Sequence, residues 1–70
     1  MKSEYKLMVL GARCQRLALK DLPNPDMIAR LDLAIRTIAR DNPQIHAAYW
    51  IVKGRNFILK RRGMKQVEIK

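Results

Sequence analysis

The sequence predicts an α+β domain. Its expected order is (β)-α-α-β-β-β, with a helix pair packed on one face of a small antiparallel sheet. Three observations lead there. Asn24-Pro25 opens a strongly periodic amphipathic segment. Tyr49-Trp50-Ile51-Val52 is a run of strong strand formers. Gly54-Arg55 and Arg61-Arg62-Gly63 then follow with the spacing of hairpin turns. A second Asn-Pro pair, at Asn42-Pro43, keeps an alternative open: three helices plus a β-hairpin.

The first segment reads two ways. As one helix over Glu4–Asp21, it sets Leu7, Leu10, Cys14 and Leu17 on one stripe. Against that, Gly11 costs about 1 kcal/mol inside a helix relative to Ala. The leading reading is therefore a short strand, Tyr5–Leu10, and a helix over Ala12–Lys20. Asp21 to Pro25 is rich in breakers. Asn24 suits an N-cap, Pro25 the first helical position, and Asp26 the positive end of the helix dipole. Ile28, Leu31, Ile35 and Ile38 then repeat at helical spacing, which predicts a helix over Pro25–Arg40. Leu33 falls on the polar arc of that helix, where the C-terminal hairpin is expected to cover it.

The next segment is the ambiguous one. A strand over Ala47–Lys53 leads into a two-residue turn at Gly54-Arg55, with Gly first as in a type II′ turn. Val52 then pairs with Phe57 and Trp50 with Leu59. Gly63 takes the left-handed position of a three-residue loop, and Gln66–Ile69 forms a short edge strand guarded by Lys65 and Lys70. The competing helix runs from Pro43 and closes at Gly54.

A chain of 70 residues is one domain at most and buries a modest core. Small domains often add disulfides or metal. With one Cys and one His, this chain has neither an internal disulfide nor a Cys/His zinc site. What remains is good packing, a homodimer or a bound partner. The lone Cys suits a reducing compartment, so a cytoplasmic location is expected. Leu7–Leu10 is too short for a signal or a span, so no membrane role is expected.

Catalytic templates lack their parts. Outside Tyr the hydroxyls are Ser3 and Thr37, and the three Gly are scattered, so neither a triad nor a phosphate loop can be assembled. The six acidic residues have no common motif spacing. Cys14 reads as a core residue and His46 as a surface or capping one. No catalytic residue, metal site or cofactor is expected, and the balance is against an enzyme.

Charge is the strongest signal: fifteen Lys and Arg against six Asp and Glu, net +9, pI near 10.5. Such a surface attracts DNA or RNA through the phosphates, or an acidic protein. The predicted contacts are Lys53, Arg55, Lys60, Arg61, Arg62 and Lys65, gathered at two hairpin turns, with Tyr49 placed to stack on a base. Arg13, Arg16, Lys20, Arg30, Arg36 and Arg40 on the helices form a secondary basic surface.

Leu19-Lys20-Asp21-Leu22-Pro23, Ala34-Ile35, Ile38-Ala39 and Asn42-Pro43, followed by Val52–Leu59 and Val67-Glu68-Ile69, resemble the RelE/ParE toxin superfamily. That resemblance implies an mRNA endonuclease acting on the ribosome, a gyrase poison, or an inactive relative, with Arg61 and Arg62 as RNA contacts. The three-helix alternative instead resembles a winged-helix or Cro-like DNA-binding module, with Phe57–Ile69 as its wing. The leading expectation is a small intracellular nucleic-acid-binding regulator or accessory factor, suited to a phage or mobile element. An inhibitor or adaptor for an acidic protein is the third reading.

Overall fold

The computed structural model describes residues 2–20 and 24–68. Those residues form three helices: α1 (Ser3–Ala18), α2 (Pro25–Asp41) and α3 (Ala47–Arg61). Among them there is no strand, so the expected sheet, and with it the hairpin of the alternative, is replaced by an all-α fold.

α2 forms for the reasons visible in its sequence. The Asn24 side chain accepts hydrogen bonds from the Asp26 and Met27 amides, at 3.0 and 3.3 Å, and Pro25 opens the first turn. These bonds satisfy amides that an uncapped helix leaves without partners. At the other end, Asn42 donates from its side chain to the Ile38 carbonyl, 2.8 Å away. The predicted end at Arg40 is extended by one residue, to Asp41.

α1 replaces the expected strand over Tyr5–Leu10, and α3 replaces the one over Ala47–Lys53. Both helices run through a glycine that reads as a breaker in the sequence. Each glycine sits where the other helix comes closest. A Cβ on Gly11 would overlap the Ile51 carbonyl oxygen and stand 3.0 Å from the Ile51 Cα. A Cβ on Gly54 would overlap the Met8 carbonyl oxygen and stand 2.8 Å from its carbon. The two backbones therefore touch at the crossing, with no side chain between them. The propensity cost of about 1 kcal/mol per glycine is offset by close packing along the whole interface. This explains why strand formers such as Trp50, Ile51 and Val52 lie in a helix: tertiary contact outweighs a local preference worth about 1 kcal/mol.

The helices run up, down and up. Lys2 to Glu4 share one recess with His46 and Trp50, while Arg16 shares another with Arg61 and Arg62. α1 and α3 are thus parallel. α2 returns antiparallel and leans mainly on α1, with Cys14 and Ala18 near Pro25 and Ile28. The core is small. Leu7, Leu31, Ile58 and Leu59 are its buried apolar side chains, and Leu7 is wholly enclosed.

The hairpin expectations fail individually for identifiable reasons. Gly54-Arg55 is mid-helix rather than a turn. Gly63 does take a left-handed conformation, φ 67°, but as the residue that stops α3. Its amide donates to the Lys60 carbonyl at 3.1 Å, and the Met64 amide donates to that of Leu59 at 2.9 Å. This is the Schellman arrangement, which shares its need for a left-handed glycine with a hairpin loop. Gln66–Glu68 has no regular secondary structure, and Ile69 lies outside the described residues. Among the described residues no hairpin covers Leu33, which is 66% exposed.

The segment after α3 is held by one side chain. Asn56, 8% exposed, donates to the Val67 carbonyl and accepts from the Val67 amide, both at 2.8 Å. An amide side chain thus pairs with backbone as a neighbouring strand would. Residues 61–68 are otherwise exposed, so this pair is the main anchor of the tail. Asn56→Ala is expected to release it, at a cost of about 1–2 kcal/mol for two net hydrogen bonds. Amide exchange at Val67 should then speed up roughly tenfold. Unchanged exchange there would mean that the pair does not hold the tail.

Candidate nucleic-acid interface

Charge is segregated by element. α2 carries Arg30, Arg36 and Arg40 against Asp26, Asp32 and Asp41, so it is neutral. Two of those arginines are paired: Arg36 with Asp32 at 3.0 Å, and Arg40 with Asp41 at 3.2 Å. α3 carries Lys53, Arg55, Lys60 and Arg61 with no acidic residue at all. α1 adds Lys6, Arg13 and Arg16 against Glu4. Among the described residues, no cation of α1 or α3 has a carboxylate within 4.0 Å.

The parallel run of α1 and α3 brings their C-terminal ends together. Arg16 lies in the last turn of α1, and Lys60 and Arg61 in the last turn of α3. Each complements the negative end of its helix dipole, which accounts for part of the clustering on structural grounds. Arg16, Ile58, Arg61 and Arg62 line one recess there. Arg16 and Arg13 also border a second recess along the α1–α3 crossing, with Tyr5, Val9, Ala12 and Phe57. The two recesses share Arg16 and together make one basic face, and among the described residues no Asp or Glu lines either of them.

The sequence-predicted contacts divide over this geometry. Arg16 shares one recess with Arg61 and Arg62 and the other with Arg13, although Arg61 and Arg62 were expected on a hairpin and the other two on a separate helix surface. Lys60 is exposed beside Arg61, and Lys20 follows α1 at the same end. Lys65 is exposed on the tail. Lys53 is exposed, but its Nζ lies over two rings, 5.7 Å from the centre of Tyr49 and 5.1 Å from that of Trp50. Arg30 is exposed on α2, away from the crossing.

Arg55 and Tyr49 are elsewhere. Arg55 turns into the groove between the three helices, beside Cys14, Ala18, Ile28 and Asp32, and its buried Nε has no hydrogen-bond partner. Tyr49 is half-buried. Its ring meets Trp50 edge-on at 5.1 Å and stacks near His46 at 6.3 Å, with Lys53 above. Packed by two aromatic neighbours, it does not line the recesses between α1 and α3.

The aromatic rings on the basic face are Tyr5 and Phe57, 51% and 55% exposed. Sequence reasoning placed both in strands. A helical reading would have found Phe57, which stands four residues from both Lys53 and Arg61. The Arg61 guanidinium carbon lies 5.7 Å from the Phe57 ring centre, within cation–π range.

Among the described residues, no group of three or more His, Cys, Asp or Glu is placed to hold a metal. Burial pushes the Cys14 thiol above its ordinary range, an effect that the nearby Arg55 opposes only in part. The thiol is therefore protonated near neutral pH and is not poised as a nucleophile. No described helix is long and apolar enough to cross a membrane.

No family model, curated protein or solved structure matches this chain. The antiparallel sheet that a RelE/ParE-like or winged module needs is absent among the described residues.

Proposed function

We propose that this chain binds nucleic acid through the α1–α3 face. The observation that supports this reading is the separation of charge: an α2 with three cations and three acids, against an α3 with four cations and no acid. The helix dipoles account for Arg16, Lys60 and Arg61 at their helix ends, but not for the absence of any acid along α3. A phosphate backbone gains from it, because clustered cations release its condensed counterions together. Arginine suits the role, since its fork meets phosphate oxygens in pairs.

The test is the salt dependence of affinity. Four to six phosphate contacts predict a slope of log K against log salt between about −3.5 and −5.5 on duplex DNA. Purified chain should also carry nucleic acid that nuclease removes. A flat salt response, or co-purifying material that is protein and survives nuclease, would instead favour an acidic protein partner on the same face.

A further inference from the structure

We infer that the face takes single-stranded nucleic acid in preference to duplex, with bases seated against Tyr5 and Phe57. This rests on the nucleic-acid reading and names the form of the ligand. Phosphate docking alone needs only cations. It does not explain why two aromatic rings, one from each helix, are left half in water along the recess that Arg13 and Arg16 border.

The geometry joins the two chemistries. Tyr5 on α1 and Phe57 on α3 flank a recess of about 310 Å³ at the glycine crossing. Gly54 forms part of its lining, where the α3 backbone lies directly against that of Met8. Arg13 and Arg16 border it on one side, and Arg61 lies over the Phe57 ring on the other. A single strand offers phosphates and exposed base faces within one nucleotide of each other. A duplex keeps its base faces stacked inside. Aromatic platforms within a cationic groove are the arrangement by which single strands are held without sequence readout.

What separates this from an acidic partner helix is the pair of half-exposed rings, which offer a base a π face to stack on and offer an acidic side chain nothing to pair with. The arginine planes add stacking surfaces of their own, which an acidic helix would not use.

The test uses the full chain and labelled oligonucleotides of about 16 residues, the upper end of single-strand site sizes. Oligo-dT, oligo-rU and a DNA duplex are compared by fluorescence anisotropy at one low salt concentration. The expected result is tighter binding of both single strands than of duplex, and the dT and rU arms then tell DNA from RNA. Phe57→Leu keeps an apolar side chain but removes the π face. It should weaken single-strand binding about tenfold, leave duplex binding within a factor of two, and be rescued by Phe57→Trp. Because Phe57 is exposed, the variant is expected to fold, which its circular dichroism checks. Duplex binding as tight as single strand, or Phe57→Leu binding like the parent, overturns this inference and leaves the phosphate-docking reading in place. Failure of every nucleic acid to bind overturns both, and tight binding of an acidic helical peptide would then identify the surface as a protein dock.

Discussion

Gly54→Ala lowers the melting temperature by about 8–16 °C. A 70-residue domain has a total stability of only a few kcal/mol to about 10 kcal/mol, so one poorly tolerated methyl group matters. Two effects oppose each other. Alanine gains about 1 kcal/mol over glycine as a helix former. The new Cβ, however, meets the Met8 backbone, with the carbonyl carbon 2.8 Å away. A side chain in the way can rotate, but a helix backbone cannot. The helices must separate, loosening the packing along the whole α1–α3 interface. Overpacking costs roughly 1–3 kcal/mol, and a clash with rigid backbone lies at the upper end, so the net loss after the alanine gain is about 2 kcal/mol. At about 4–8 °C per kcal/mol for a domain of this size, that gives the stated range.

Gly11→Ala is expected to behave alike, because its Cβ meets the Ile51 backbone. The double variant should lose less than the two singles together, since the first methyl already opens the crossing that the second would strain. Gly63→Ala is the contrasting case. Nothing lies within 4 Å of its Cβ, but its φ of 67° is left-handed, so the loss is about 1–2 kcal/mol and local to the α3 terminus. Thermal melts of the four proteins decide the matter. A Gly54→Ala chain as stable as the parent would mean that the backbones do not touch in solution.

The second large effect is on affinity. Arg61→Ala/Arg62→Ala should weaken nucleic-acid binding about 10- to 100-fold at low salt and flatten the salt slope by about two units, one for each phosphate no longer neutralised. Stability should fall by only about 1 kcal/mol, from the cation–π interaction with Phe57 and the helix-end charge. The informative comparison is Arg36→Ala/Arg40→Ala. It removes the same two charges, but from α2, where both arginines already pair with aspartates. If the α1–α3 face docks the ligand, this second double variant should lose no more than about threefold, the effect of net charge at a distance. Equal losses in the two double variants would mean that bulk charge, not this face, controls binding.

α2 was the most legible element. Asn24, Pro25 and Asp26 make a start signal whose parts all act within four residues, and the structure realises it with two hydrogen bonds to Asn24. The apolar repeat of α2 announced a helix, but not how much of it would be covered. Leu31 is buried, while Ile28 remains 43% exposed, because α2 leans on α1 and not into the centre of a sheet-backed core.

Gly63 shows a second kind of limit. Its left-handed backbone was readable, but a hairpin loop and a Schellman cap ask the same of a glycine. Only the state of the residues before it distinguishes them. Asn56 shows a third. Its pairing with Val67, eleven residues on, has no local signature.

The sequence by itself determined the sign and size of the charge and the start of α2. Each of these depends on residue identity or on neighbours within a turn. Only the tertiary structure decided that Gly11 and Gly54 lie inside helices, because their advantage exists only when a second backbone arrives to fill the space left by the missing side chains. That crossing makes α1 and α3 parallel neighbours. It therefore also places Arg16 beside Arg61 and Arg62, forty-five residues or more further along the chain.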